Sequence, residues 1–184
     1  MGEHSVRLAD LNTMDAEELT GKLGQLFEHS PWVARVTLAN RPFSSPRAFH
    51  SALCTTVRNA DVDAQLALIR EHPDLVGRAA LEGTLTRSST AEQAAAGLDT
   101  GALTADERES FQHFNAEYRA RFGFPFVICA RENKKASILR GFETRLHNDQ
   151  KTEIATTIGE IEKIAWYRLA EIMPEAALCE DGRE

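Results

Sequence analysis

One histidine stands at a position suited to proton transfer. His72 follows Glu71 and precedes Pro73, at the end of a predicted helix and the start of a loop. Loops on a rigid scaffold concentrate catalytic side chains, and histidine is the residue whose ordinary pKa lies near neutrality. His72 is therefore a candidate general acid or base. The alternative is a histidine that only interacts favourably with the negative end of a helix dipole.

A second group of polar residues begins at Ser89. The stretch Ser89-Thr90-Ala91-Glu92 has the spacing of a capping box, in which serine and glutamate satisfy the free N–H groups of a helix N-terminus. The same N–H groups suit an anion or a polar heterocycle, and the Gln93 amide can donate and accept hydrogen bonds together. These residues leave two interpretations open, which are capping alone and capping combined with ligand binding.

The stretch Gly123-Phe124-Pro125-Phe126-Val127-Ile128 is unusual in a chain that otherwise has helical patterns. It is short and marked by glycine and proline, so we predict an extended segment or one short strand. Extended backbone presents N–H and C=O groups that a helix uses internally. A ligand rich in urea-like donors and acceptors would satisfy them, and a hydrophobic crossover through the core is the alternative.

Arg145 lies among Leu139, Phe142 and Leu146 on a predicted helix whose inner face is mostly apolar. A guanidinium there is costly unless it meets an anion or a buried carboxylate. We therefore predict that Arg145 faces the pocket and pairs with Glu92 when the site is empty. An anionic substrate would then compete for its fork of donors. A surface arginine is the default alternative.

The elements that position these residues are predicted to be helices. Apolar spacing, capping boxes and prolines place them at about 15–28, 46–59, 61–71, 89–97, 104–122, 133–147 and 149–172. Residues 73–88 are predicted to be mostly loop, and no alternating strand pattern appears. We predict an all-α fold over residues 1–184. It is one compact domain of seven to nine helices and one short extended segment, with a core over about 8–173 and a flexible acidic tail at 174–184.

Charge and composition exclude several classes of partner. The 184 residues carry a formal net charge of −7 and no basic run, so nucleic acids and anionic membranes are not predicted partners. No apolar run approaches the roughly 20 residues that span a bilayer, and the N-terminus lacks the regions of a signal peptide. Cys54, Cys129 and Cys179 lack CxxC spacing and predict reduced thiols in a cytoplasmic protein.

The motifs that bind nucleotide cofactors, hold catalytic zinc or form a nucleophile elbow are absent. His113 and Glu117 lie four residues apart on a predicted helix, a spacing that can seat a metal. A solvated pair on a helix face is the commoner meaning of that spacing. We therefore predict no metal and no cofactor.

Several stretches, taken in order, make the chain resemble the 2-oxo-4-hydroxy-4-carboxy-5-ureidoimidazoline (OHCU) decarboxylase family. The resemblance runs from about residue 8 to residue 173. The matching stretches are Phe27-Glu28-His29-Ser30-Pro31-Trp32-Val33-Ala34, Arg41-Pro42-Phe43, His72-Pro73-Asp74-Leu75, Ser89-Thr90-Ala91-Glu92-Gln93 with Ala96-Gly97-Leu98, Asn115-Ala116-Glu117-Tyr118, Phe122-Gly123-Phe124-Pro125-Phe126, Arg145-Leu146-His147-Asn148 with Glu153, and the segment from Ile164 to Leu169.

The resemblance implies a compact helical carboxy-lyase, usually a homodimer, that completes the conversion of urate to (S)-allantoin in purine catabolism without a cofactor. It implies that His72 is catalytic, that Glu92 is its acidic partner and that Arg145 is a basic residue of the site. The residues that it implies for binding the ureidoimidazoline substrate are Pro73, Ser89, Thr90, Ala91, Glu92, Gln93, Phe124, Pro125, Phe126, Val127 and Ile128.

Two other functions remain as alternatives. One is a non-catalytic helical module that binds ureides without turnover, which the presence of both His72 and Glu92 disfavours. The other is a hydrolase of a neighbouring intermediate of urate breakdown, such as 5-hydroxyisourate. The lack of a metal motif and of a nucleophile elbow disfavours the hydrolase.

Overall fold

The computed structural model describes residues 5–99, 101 and 103–178. These residues form eleven α-helices, one 3₁₀ turn at Ala130–Glu132 and no β-strand. The helices are α1 (Leu8–Thr13), α2 (Ala16–Leu23), α3 (Pro31–Leu38), α4 (Pro46–Asn59), α5 (Val62–Arg70), α6 (Arg78–Glu82), α7 (Arg87–Ala95), α8 (Ala105–Phe122), α9 (Lys135–Arg145), α10 (Gln150–Ile172) and α11 (Pro174–Leu178). The all-α prediction is confirmed, and its count of seven to nine fits the helices of eight residues or more.

Local sequence signals set the bounds of the best-predicted helices. Helix α4 begins at Pro46, where the Ser45 side chain accepts a hydrogen bond from the Ala48 N–H at 3.1 Å. Helix α8 has the predicted capping box at its start and ends at Gly123, whose φ of +76° is the left-handed conformation that glycine adopts without strain. Helix α5 ends shortly before His72-Pro73, as the proline predicts.

Two helices near the N-terminus differ from the prediction. Helix α2 stops at Leu23 instead of continuing to residue 28. Gly24 follows it, where the backbone of Pro31 comes close. A Cβ at Gly24 would lie 2.7 Å from the Thr20 carbonyl oxygen, so only glycine fits there without a shift. No helix was predicted between residues 28 and 46, and this is wrong, because Pro31 occupies the first turn of α3 and begins a helix.

Helix α7 begins two residues earlier than predicted. Its cap is Thr86, whose Oγ1 accepts a hydrogen bond from the Ser89 N–H at 3.2 Å and donates one to the Ser89 Oγ at 3.0 Å. The predicted capping box at Ser89 and Glu92 is therefore wrong. Glu92 is the sixth residue of α7, beyond the first four N–H groups that a cap can satisfy.

The C-terminal end of the described chain also differs from the prediction. Helix α11 covers Pro174–Leu178 and buries Ala176 completely. Packed structure therefore continues past residue 173, where the flexible tail was expected to begin. Residues 179–184, including Cys179, lie outside the described residues.

The chain divides into two compact units, and the single-domain organisation remains a prediction. The first unit contains the described residues up to Leu68 and those from Glu162 onward, and the second is Ile69–Ile161. In the first unit, apolar side chains of α2, α3 and α4 form the core, and the Arg168 guanidinium pairs with the buried Glu28 carboxylate at 2.7 Å.

The core of the second unit is aromatic. Tyr118 on α8 meets the Phe126 ring edge-on at 5.2 Å, and Phe142 on α9 stacks on Phe126 at 3.8 Å. Burial of each ring contributes on the order of 2–3 kcal/mol, and the paired geometries add to that. The stretch around Phe126 is thus anchored between two helices although it belongs to neither.

Candidate active site

Every residue that the sequence predicts for the site lies in the second unit. His72 opens a loop, residues 72–77, which we call the histidine loop. Its side chain is buried, with 5% of its surface exposed. Pro73, which follows it, is half-buried. The structure thus places His72 at a helix-to-loop junction and buries its ring, and its role in proton transfer remains a prediction.

Amide side chains from two helices hold the histidine loop. The Oε1 atom of Gln93 on α7 accepts a hydrogen bond from the Val76 N–H at 3.1 Å. The Nδ2 atom of Asn115 on α8 donates one to the Leu75 carbonyl at 2.9 Å. Both bonds are buried, so they satisfy backbone groups that water does not reach.

The histidine loop contains a strained residue. Val76 has a φ of +54°, a left-handed conformation that is a genuine outlier for a β-branched side chain. The chain turns tightly there, since a Cβ at Gly77 would lie 2.6 Å from the Cβ of Asp74. Such strain persists only where surrounding contacts over-determine the backbone, and it is common at functional sites.

Helix α7 presents one buried face. Ser89, Glu92, Gln93 and Ala96 are each less than 8% exposed and recur at the three- and four-residue spacing of one helix face. Thr90 and Ala91 are exposed, so their side chains lie off that face. Because Gln93 accepts from Val76 through Oε1, its NH₂ group is left as the donor end of the amide.

Residues 124–128, which we call the extended segment, form neither helix nor strand and are buried except for the half-buried Ile128. Among the described residues, the N–H groups of Phe126, Val127 and Ile128 meet no hydrogen-bond acceptor. Backbone N–H groups without a protein acceptor need another partner, either water or a ligand. Three such donors in succession could bind an acceptor-rich ligand.

The segment's end and α7 lie close together. Helix α7 packs against the 3₁₀ turn at Ala130–Glu132, which directly follows the extended segment. The Lys134 ammonium donates to the Ala95 carbonyl at the end of α7 at 2.6 Å. Gln93 connects the same helix to the histidine loop, so α7 lies between the loop and the turn that ends the segment.

The Arg145 side chain is buried, and its partner differs from the predicted one. Its Nε donates to the Glu153 carboxylate at 2.7 Å, and its Nη1 donates to the Val127 carbonyl at 2.7 Å. Its Nη2 lies 2.9 Å from the Thr157 hydroxyl. The buried carboxylate that pairs with Arg145 is therefore Glu153, and the predicted pairing with Glu92 is wrong.

Burial sets the protonation of two further groups in this unit. It raises the pKa of the Cys129 thiol to about 11, so the reactive thiolate is scarce at neutral pH. Burial, together with the neighbouring Glu153 carboxylate, also raises the pKa of the Tyr118 hydroxyl. Neither group is set up as a nucleophile, which leaves proton transfer as the chemistry that the residues best support.

No cluster of three or more metal-ligating side chains occurs in the described chain. His113 and Glu117 lie 3.8 Å apart and are exposed, as expected for a solvated helix-face pair. None of the described helices combines the length and apolar character that a bilayer crossing requires.

A groove of about 680 Å³ lies in the first unit, between α3 and α4. Its walls are apolar or uncharged polar side chains: Trp32, Val36, Asn40, Ala48, Ser51, Ala52, Thr55, Thr56, Asn59 and Ala60. It holds no titratable group, so acid–base chemistry is not assigned to it. The chemistry-bearing residues are those of the second unit.

An all-helical enzyme for acid–base chemistry on a small polar molecule is the class that this fold and these residues define. The family model described as "OHCU decarboxylase" matches residues 12–170. The chain is 39% identical to the 2-oxo-4-hydroxy-4-carboxy-5-ureidoimidazoline decarboxylase of Haloferax volcanii, over 91% of this chain and 96% of that protein. The Mus musculus enzyme of the same name is 36% identical over 90% of this chain and 92% of its own length. The chain belongs to the OHCU decarboxylase family.

Longer proteins contain the same region. The uric acid degradation bifunctional protein PucL of Bacillus subtilis is 40% identical over 90% of this chain, which spans 32% of that protein. The crystal structure of an (S)-allantoin synthase superposes with a TM-score of 0.73 and 26% identity, over 91% of this chain and 54% of that one. The chain thus corresponds to about half or less of these two proteins.

Three residues of the site have no role in the sequence-based prediction. Asn115, Tyr118 and Glu153 support the histidine loop or the extended segment, although each lies in a stretch that carries the family resemblance. In the sequence, each of them is a polar residue on a helix face that is otherwise apolar. That pattern predicts a buried polar side chain but does not predict which group it binds.

Proposed function

We propose that this protein decarboxylates 2-oxo-4-hydroxy-4-carboxy-5-ureidoimidazoline to (S)-allantoin, the last step of the conversion of urate to allantoin. The observation that carries the proposal is the family match over residues 12–170. The extended segment supports it, because consecutive N–H donors without a protein acceptor suit the carbonyl oxygens of a ureido group and a ring.

The substrate supplies the electron sink that decarboxylation requires. When the C–C bond to the carboxylate breaks and CO₂ leaves, its electron pair forms a C=C bond to the carbon that carries the ureido group. The electrons of the C=N bond move onto the ring nitrogen, which takes up a proton. The resulting enol gains a proton at the carbon that carries the ureido group, and its hydroxyl loses a proton to become a carbonyl. No organic cofactor is needed for these steps, and the protein's tasks are to orient the substrate and to protonate one face.

The residues take distinct roles in this reaction. His72 transfers the proton, and Glu92 polarises the substrate or orients His72. The Ser89 hydroxyl and the Gln93 NH₂ group hold the ring and ureido oxygens, with the backbone of the extended segment and with Pro73 beside them. Thr90 and Ala91 contribute through the backbone, since their side chains are exposed.

The test generates the unstable substrate in place with urate oxidase and hydroxyisourate hydrolase and follows the circular dichroism of the allantoin that forms. Without catalysis the substrate decays to racemic allantoin, so the enzyme should produce a rapid signal of one sign. His72→Asn should lose roughly 10²-fold or more in rate, as expected for removal of a general acid or base. Racemic product at the uncatalysed rate with the wild-type protein would refute the proposal.

The assembly and the location of the protein are part of the same proposal. The family resemblance supports a cytoplasmic homodimer whose partners are small molecules. Sedimentation at micromolar concentration tests the assembly, with a mass near twice that of the chain as the expected result. A single-chain mass would contradict it.

A further inference from the structure

We infer that Arg145 and Glu153 are positioning residues, which hold the extended segment in shape for the substrate and do not contact the substrate themselves. The inference rests on the proposed function, since it assigns the way in which the segment is prepared for that reaction. It differs from the prediction that Arg145 binds the anionic substrate directly.

The Arg145 guanidinium contacts two consecutive residues of the extended segment. Its Nη1 donates to the Val127 carbonyl at 2.7 Å, and its Cζ lies 4.4 Å from the centre of the Phe126 ring. A planar guanidinium can donate along its edge and stack through its face at the same time. One side chain therefore fixes both the carbonyl direction of Val127 and the ring of Phe126, and with them the N–H groups that follow.

Glu153 fixes the guanidinium in turn. It is completely buried, and its Oε1 atom lies 2.7 Å from Nε and 2.5 Å from Nη2 of Arg145. Two guanidinium nitrogens on one charged acceptor fix the orientation of Arg145 as well as balance its charge. The Tyr118 hydroxyl donates to the same carboxylate oxygen, and the Asn148 amide donates to the other at 2.6 Å. Both carboxylate oxygens thus have partners inside the protein.

All three nitrogens of the Arg145 guanidinium are accordingly engaged by the protein. Nε, Nη1 and Nη2 each have an acceptor among Glu153, Val127 and Thr157. A substrate carboxylate that bound the Nε and Nη2 edge of the guanidinium would have to displace Glu153, which has no exposed surface. The geometry therefore favours a guanidinium that acts through the backbone of the segment.

The experiment compares Arg145→Lys, Glu153→Gln and the double variant in the coupled circular dichroism assay. Lysine keeps the charge but lacks the planar fork, and glutamine keeps the shape but lacks the charge. Each single variant should lower kcat/KM on the order of 10²-fold, the loss that a displacement of about 1 Å in a positioned group can cause. The double variant should be no slower than the slower single variant, because both changes release the same segment.

Two further variants separate positioning from loss of fold. Ile138→Ala removes a buried apolar side chain of the same helix, α9, so it should lower thermal stability and keep the wild-type rate. Tyr118→Phe keeps the ring and removes only the hydroxyl that meets Glu153, so it should fold and show a smaller loss of rate than Glu153→Gln. If Ile138→Ala lowered kcat/KM as much as Arg145→Lys does, loss of stability alone would explain the lower rate, and the inference would be overturned.

A second measurement does not depend on turnover. The backbone amide resonances of Phe126, Val127 and Ile128 should shift in both Arg145→Lys and Glu153→Gln. Unshifted resonances, additive losses of rate, or a Glu153→Gln variant with the wild-type rate would each overturn the inference. An inactive wild-type protein would refute the proposed function instead, and the resonances would still test the positioning.

Discussion

The histidine loop is held by neutral amides, whereas the extended segment is held by buried charges. Gln93 and Asn115 bind the backbone of the loop at 3.1 and 2.9 Å. Arg145, neutralised by Glu153, binds the backbone of the segment at 2.7 Å. Both regions belong to the same unit and to the same candidate site. They differ in the kind of side chain that binds their backbone.

The two kinds of support have different energetic consequences. A neutral hydrogen bond contributes about 1 kcal/mol net, and the loss of one partner costs about 1–3 kcal/mol. A buried ion pair adds little net stability as a pair, but removal of one member leaves a buried charge alone and costs about 3–5 kcal/mol. The loss of one amide should therefore destabilise the histidine loop moderately, even though Val76 is strained. The extended segment depends on one ion pair, and the loss of either member should cost more.

The largest expected effect is a difference in the free energy of unfolding between a variant of the extended segment's support and a variant of the histidine loop's support. Arg145→Met should lower the free energy of unfolding by about 3–5 kcal/mol, because it leaves the Glu153 carboxylate buried without its cation. Asn115→Ala should cost only about 1–3 kcal/mol, because it leaves the neutral Leu75 carbonyl without its donor. Urea titration of both variants measures the difference. Equal losses would show that the two regions are supported alike.

The sequence predicted much of the fold and part of this comparison. Proline, glycine and capping signals placed α4, α5 and α8 closely, because those signals act within a few residues. The start of α7 was misplaced, because Thr86 and Ser89 are both good capping residues and the choice between them depends on packing. The partner of Arg145 was also wrong, since Glu92 and Glu153 are both carboxylates and only the tertiary structure determines which one lies beside it.

The next effect is on rate. Glu92→Gln should lower the decarboxylation rate by on the order of 10²-fold, as for loss of an acid–base or polarising group. Its stability should change little, because Glu92 is the sixth residue of α7 and does not cap the helix. The coupled assay and thermal unfolding together test this. Wild-type turnover in Glu92→Gln would leave Glu92 as a structural residue of the buried face of α7.

Thr86 gives the matched structural change on the same helix. Thr86→Ala removes the side-chain acceptor of the Ser89 N–H and should cost about 1 kcal/mol, the usual value for loss of an N-cap. Ser89→Ala should leave that cap bond in place, since the bond uses the Ser89 backbone. If Ser89→Ala destabilised the protein more than Thr86→Ala, Ser89 would be the N-cap residue of α7, as the sequence predicted.

The smallest expected effect concerns a charged contact of the histidine loop, the pair of Arg119 with Asp74. The Arg119 Nε lies 2.9 and 3.0 Å from the two carboxylate oxygens of Asp74, and the Arg119 side chain is 44% exposed. Exposed ion pairs contribute about 0.2–1 kcal/mol and weaken as salt screens them.

Arg119→Gln should therefore lower the free energy of unfolding by no more than about 1 kcal/mol, and less at high salt. Arg78→Gln is the matched control, because it breaks the exposed pair with Glu82 in α6. A loss in Arg119→Gln as large as that in Arg145→Met, and insensitive to salt, would mean that charge also holds the loop, and the contrast between the two regions would fail.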